Sequence, residues 1–370
     1  MGSIPVSWLQ KLEEQLNVDV DCMDPTFAKS LPFTPHNQTS NQLLVNEQMS
    51  IPENKELFLK AVRERKDQGW EAVLDRISVL LCAENIGNIQ GRVLLQTSPF
   101  HAYSTEKVVE HARAYAREFE SVGISKDRFC IKIPCTGPAM NAGPILLKEG
   151  IRTLGTSLFG LPQAIASSQA GCLYISPYYN EVRAHAELSL WPDVEDPATQ
   201  HTMSARMIQI LETYKRLYKE TGKEQPMVKS ASFISPKEAM AAGEMGCHHA
   251  TISSDVLTQL SKLEYDGSKQ PGEGVPKPTH AYKNGGAYKG AGPPPARLSK
   301  VAKTDPLAAA KWDGKLASTD IDYLANNGSE LEKAIEADPV TKTRLFEALD
   351  LFKGGEMRSK AVIEEAMARV

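Results

Sequence analysis

Short apolar, β-branched runs alternate with longer amphipathic stretches from residue 18 to about residue 254. The runs at 18–21, 37–44, 91–96, 130–133, 153–158, 172–176, 227–233 and 250–253 read as strands. The intervals between them carry helix punctuation. Pro162 stands near one helix start and Gly171 just past its end, and Ser235-Pro236-Lys237-Glu238 combines a capping box with proline at the first helical position. Eight strand–helix alternations predict an α/β TIM (β/α)8 barrel. An open doubly wound sheet is the alternative, weakened because no GxGxxG turn follows the first strand.

At 266–306 the pattern breaks, with Gly285-Gly286, Gly290-Ala291-Gly292 and Pro293-Pro294-Pro295. This segment follows the eighth strand and contains no phosphate-binding motif, so a lid over the barrel mouth and a solvated linker are both open. Helical periodicity resumes over 307–370, with a capping signal at Ser329-Glu330-Leu331-Glu332 and a charged amphipathic C-terminal helix. The expectation is one domain, 1–370, with these extra C-terminal helices packed on the barrel.

Composition narrows the function. The 370 residues are 41% hydrophobic, enough for a large core, and the net charge of -4 gives no footprint for nucleic acid or an anionic membrane. No run approaches the roughly 20 apolar residues of a membrane span, and the N-terminus lacks a basic region followed by an apolar one, so the expected location is cytoplasmic. Six cysteines (Cys22, Cys82, Cys130, Cys135, Cys172, Cys247) without a CxxC pair read as buried thiols. No metal is expected. His248-His249 is the one tempting ligand pair, but neighbours on a strand face opposite ways.

The most informative residue is Lys132, in Phe129-Cys130-Ile131-Lys132-Ile133-Pro134-Cys135. An ammonium in a buried strand is costly, and the same desolvation lowers its pKa and frees an amine to attack a carbonyl. A structural lysine snorkelling from an edge strand is the plainer alternative. Strand ends of such a barrel point at its active face, which collects Asp21, Thr39, Asn41, Gln96, Lys132, Thr156, Ser176, Tyr178 and Ser232.

With these residues the chain resembles the transaldolase family of class I aldolases. The resemblance covers most of the chain and is most specific in Ile131-Lys132-Ile133-Pro134, Lys148-Glu149-Gly150-Ile151, Gln163-Ala164-Ile165-Ala166, Ile175-Ser176-Pro177-Tyr178 and Ala231-Ser232-Phe233. It implies that Lys132 forms a Schiff base with a ketone donor, that Asp21 exchanges the proton of the aldol hydroxyl, and that Asn41 and Thr39 hold donor hydroxyls, with Ser176 and Ser232 at the substrate. No cofactor is implied, because the protonated imine is itself the electron sink. Asp19 and Asp24 read as loop or solvent carboxylates. A small-molecule carbonyl substrate and a homo-oligomer are expected.

The departures from the family pattern are informative. Gln42 stands where the family has proline. Gln96 replaces the glutamate of transaldolases proper and Tyr178 their phenylalanine, and together with Thr156 they resemble the fructose-6-phosphate aldolase branch, where such a trio holds the catalytic water. Glu181 and Ile234 occupy the two positions that carry phosphate-binding arginines, with Arg183 or Lys229 as the available substitutes, and Leu154 replaces a polar residue. The reading is a Schiff-base aldolase or lyase for a small non-phosphorylated hydroxy-ketone or related carbonyl compound, and a place in specialised metabolism stays open. The rivals are a genuine transaldolase moving a dihydroxyacetone unit between sugar phosphates, and an idle barrel with a binding role.

Overall fold

The computed structural model describes residues 6–267, 287–308 and 312–370. Eight strands, β1 (Asn17–Asp21), β2 (Gln38–Thr39), β3 (Val93–Gln96), β4 (Phe129–Pro134), β5 (Thr153–Leu158), β6 (Tyr174–Pro177), β7 (Met227–Ser230) and β8 (His249–Ser253), pair in sequence order, all parallel. The barrel closes where β1 meets β8, with Asn17 opposite His249 and Asp21 opposite Ser253. Helices cover the outside, so the strands are buried on both faces, and polar side chains such as Asp19 and Lys229 are buried in the interior with them. Among the described residues no helix is long and apolar enough to cross a membrane.

Two strands are shorter than their sequence pattern predicts. The run at 37–44 pairs only at Gln38–Thr39. Asn41 then caps a helix, Gln42–Ser50, its Oδ1 accepting the N–H groups of Leu43 (2.9 Å) and Leu44 (3.2 Å). The cap supplied by the side chain starts the helix inside the run, and the helix buries Val45 and Met49. The run at 227–233 ends at Ser230, because Ser232 takes a left-handed conformation (φ 66°) that stops the ladder.

Asp19 lies in the barrel interior, not in a loop or at the solvent. It is fully buried and ion-paired to the equally buried Lys229, whose Nζ also sits 4.2 Å over the Tyr174 ring. Asn37 donates to Asp19 through its backbone (3.0 Å) and side chain (2.9 Å), and His249 Nδ1 lies 3.1 Å from Lys229 Nζ and 3.2 Å from Asp19 Oδ1. Burial works to raise the Asp19 pKa, and Lys229 and His249 outweigh it, holding the carboxyl well below the usual range. Lys229→Met is therefore expected to cost about 3–5 kcal/mol by stranding a buried carboxylate, read as a lower urea midpoint. Asp19→Leu added to it should restore most of the loss. Because the native pKa is depressed, the pair's contribution is complete above the unfolded carboxylate value of about 3.9 and is lost as acid titrates the native group.

After β8 the helix Ser254–Lys262 carries the chain away from the mouth, and Leu263 meets the N-terminus, accepting the Trp8 N–H at 2.8 Å. Part of the Gly/Pro-rich segment, 268–286, lies outside the described residues. Where description resumes, Tyr288 donates to the Pro226 carbonyl (2.5 Å) and packs its ring 4.8 Å from that of His248, both just before the strands they precede, at the N-terminal end of the barrel. The described part of the segment thus resumes at the end opposite the chemistry face and then returns along the outside of the barrel, where Arg297 pairs with Asp196 and Glu244, and Asp305 pairs with Arg206 beside the Phe159 carbonyl. His248 and His249 face opposite ways, one toward Tyr288 and the other into the Asp19 cluster.

The C-terminal helix, Pro339–Met367, instead covers the barrel mouth. It packs on the helix Gln42–Ser50, on β5 and on the turn after β6. Gly355 permits the approach, since a Cβ there would meet Leu43 Cδ2 at 2.9 Å and the Gln42 backbone at 3.2 Å. Ser98 after β3 fastens the helix by donating to Glu356 (2.6 Å).

Candidate active site

A cavity of about 340 Å³ opens at the C-terminal ends of the strands, under the C-terminal helix. Asp21, Thr39, Asn41, Lys132, Ser176, Tyr178 and Ser232 all line it. Residues from β1, β2, β4, β6 and the end of β7, far apart in sequence, meet because the parallel barrel brings every strand's C-terminal end to one face.

Lys132 is 5% exposed, and its Nζ donates to the backbone carbonyl of Ser40 at 2.9 Å. A neutral acceptor leaves the amine without a bonded counter-ion. Burial lowers its pKa, the nearby Asp21 opposes that shift, and the Lys229 charge adds to the lowering. Burial lowers the pKa of Lys229 as well, opposed by its ion pair with Asp19; it reaches the same cavity but differs from Lys132 in having a carboxylate bonded to its Nζ. Thr39 donates to Asp21 Oδ1 at 2.5 Å, which aims the carboxylate into the cavity.

Tyr178 and Thr156 share a hydrogen bond of 3.1 Å between hydroxyls. Burial pushes the Tyr178 phenol up to about 12, against the pull of Thr156, so it keeps its proton at neutral pH. Gln96 pairs in register with Lys132, which puts the two side chains on the same inner face, and neither its Oε1 nor its Nε2 has a protein partner despite full burial. Gln96 and Thr156 stand behind the cavity wall rather than in it.

Glu181 and Ile234 are not wall residues. Glu181 sits 3.9 Å from Arg344 of the C-terminal helix, and the Ile234 N–H donates to Glu238 (2.6 Å). Arg183 is exposed and paired with Glu187 (2.8 Å) and Glu347 (3.1 Å), and Lys229 is consumed by Asp19. Among the described residues no arginine lines the cavity. Among the described residues no three His, Cys, Asp or Glu side chains form a metal-holding group.

The cavity also contains residues that sequence reasoning missed. His185, on the turn after β6, lies 2.9 Å from Ser232 Oγ; that hydroxyl donates to the Asn180 carbonyl (2.9 Å), so the imidazole Nε2 is the donor. Glu47 and Leu44 come from the helix that the pattern read as strand, and Leu351 and Phe352 from the C-terminal helix. No local motif marks them, since each reaches the site through packing of an element remote in sequence.

The model of the family described as transaldolase/fructose-6-phosphate aldolase matches residues 20–285. The chain belongs to that family. A transaldolase of Methylobacillus flagellatus is 29% identical over 260 residues, 69% of this chain and 79% of the relative, and a transaldolase of Prochlorococcus marinus is 28% identical over 285 residues, 74% and 80% of the two chains. Family membership makes this barrel an enzyme of the aldolase or transferase type.

Proposed function

We propose that the enzyme makes or breaks a carbon–carbon bond through a Schiff base on Lys132, with a small, non-phosphorylated hydroxy-ketone as its donor. The observation that carries this reading is the buried amine bonded only to a backbone carbonyl, facing a cavity that also holds Asp21 and Tyr178. The neutral Nζ attacks the ketone carbon and forms a carbinolamine. Loss of water from it gives the iminium ion. In the cleavage direction Asp21 takes the proton of the aldol hydroxyl as the carbon–carbon bond breaks; its electron pair moves to the iminium, the aldehyde departs and an enamine remains. Protonation and hydrolysis of the enamine release the donor ketone, whereas attack on a second aldehyde completes a transfer.

Tyr178 and Thr156 are assigned to the water of carbinolamine formation and hydrolysis, with Gln96 orienting it. A glutamine cannot act as a carboxylate base, so the protonated phenol carries the proton transfer. Gln96→Glu is expected to shift the ratio of transfer to free cleavage toward transfer by roughly tenfold, measured from product ratios with two competing aldehydes; an unmoved ratio removes Gln96 from the role. Thr39, Asn41, Ser176 and Ser232 are assigned to substrate hydroxyls.

A second reading, transfer of a dihydroxyacetone unit between sugar phosphates, is favoured by the two relatives, both transaldolases. The absence of arginine from the cavity wall, with Glu181 and Ile234 outside it, speaks against a bound phosphate. The deciding experiment is mass spectrometry of the protein reduced with borohydride beside a panel of phosphorylated and unphosphorylated ketones. A ketone-derived mass on the Lys132 peptide is the expected result, and no labelling by any ketone overturns the mechanism.

A further inference from the structure

The polar groups assigned to the donor, Lys132, Asp21, Thr39 and Ser176, line the cavity. Leu43 and Leu44, from the helix Gln42–Ser50, and Leu351 and Phe352, from the C-terminal helix, bring an apolar surface to the same cavity, joined by Val182 from the turn after β6. Leu351 is 38% exposed although it lines the cavity, so its apolar surface is not consumed by packing. Phe352, by contrast, is 3% exposed and holds the helix in place. The charges near this surface are poorly suited to an anion. Asp21 and the rim residue Glu47 are carboxylates, Lys229 is neutralised by Asp19, and Lys132 is the reacting amine.

We infer that the part of the substrate beyond the cleaved bond, the acceptor aldehyde, carries an apolar or aromatic group that packs on Leu44, Leu351 and Phe352. This rests on the Schiff-base reading and adds the chemical class of the second reactant. Apolar surface removed from water stabilises a bound ligand at about 25 cal/mol per Å², so a phenyl or short alkyl group on this wall supplies the selectivity that two arginines would give a phosphate. The C-terminal helix is then a specificity element as well as a cover.

The test uses the full-length protein and one readout, the extent of borohydride labelling on the Lys132 peptide. Its probes are 4-phenylbutan-2-one, fructose and fructose 6-phosphate. Half-maximal labelling by the phenyl ketone is expected at a concentration at least about tenfold lower than by fructose 6-phosphate, the discrimination typical of a few methylene equivalents. In Leu351→Ser, a change at a half-exposed position that leaves the core intact, the preference for the phenyl ketone over fructose should fall by about tenfold. Tighter labelling by fructose 6-phosphate, or an unmoved preference in Leu351→Ser, overturns the inference while leaving the Schiff base standing. Absence of labelling by all three probes and by the wider ketone panel overturns the catalytic reading and this inference together.

Discussion

Lys132→Ala is expected to abolish ketone-dependent borohydride labelling and to remove turnover altogether, while the barrel stays folded. The amine is the only group in the mechanism whose covalent bond to substrate is obligatory, so its loss is not graded. Lys132→Arg should be equally inactive, because a guanidinium stays protonated and cannot form an imine. The pH dependence follows from the lowered pKa. The neutral amine is the reactive form, so labelling rises with pH, and its half-rise lies below the value of about 10.4 for a free lysine. Labelling at another lysine, with activity retained in Lys132→Ala, rejects the assignment. Lys229 is the informative control, since it lines the same cavity with its Nζ ion-paired to Asp19.

Tyr178→Phe is expected to lower turnover by roughly two to four orders of magnitude, the usual contribution of a positioned proton-transfer group. The substitution deletes one hydroxyl and leaves the Phe159 contact, an edge-to-face pair with centroids 5.5 Å apart, so stability should change little. What it does strand is Thr156, which loses its 3.1 Å partner. If the phenol acts on the water of carbinolamine formation, the loss appears in the rate of imine labelling as well as in turnover. Wild-type rates in this variant reject the role.

The barrel itself was legible in the chain because short strand runs alternate with longer amphipathic stretches, and the helices between the strands carry their own caps, as at Ser235 and Glu238. Lys132 was legible because a charge within an apolar run stands out. Asp21, Thr39, Asn41, Ser176, Tyr178 and Ser232 could be placed at one mouth from strand ends alone, and the cavity does gather them. Local sequence was misleading at 37–44, which reads as a strand, but Asn41 caps a helix there and brings Leu44 and Glu47 to the cavity wall.

Contacts between distant elements were decided only by the tertiary structure. Asp19 looks in the sequence like another acidic residue beside Asp21, yet two residues along a strand is one layer deeper in the barrel, where Lys229 and His249 neutralise it. The cover of the site was equally hidden. The Gly/Pro-rich segment after β8 adjoins the mouth in sequence, but the helix Ser254–Lys262 intervenes, and the mouth is closed by a helix ending at Met367. Sequence alone determined the fold period, the lysine inside the fourth strand and the strand-end polar set, because each can be read from local residue choice. Which elements cover the cavity, which lysine is free and which carboxylate is consumed depend on long-range packing, and that leaves no local period to read.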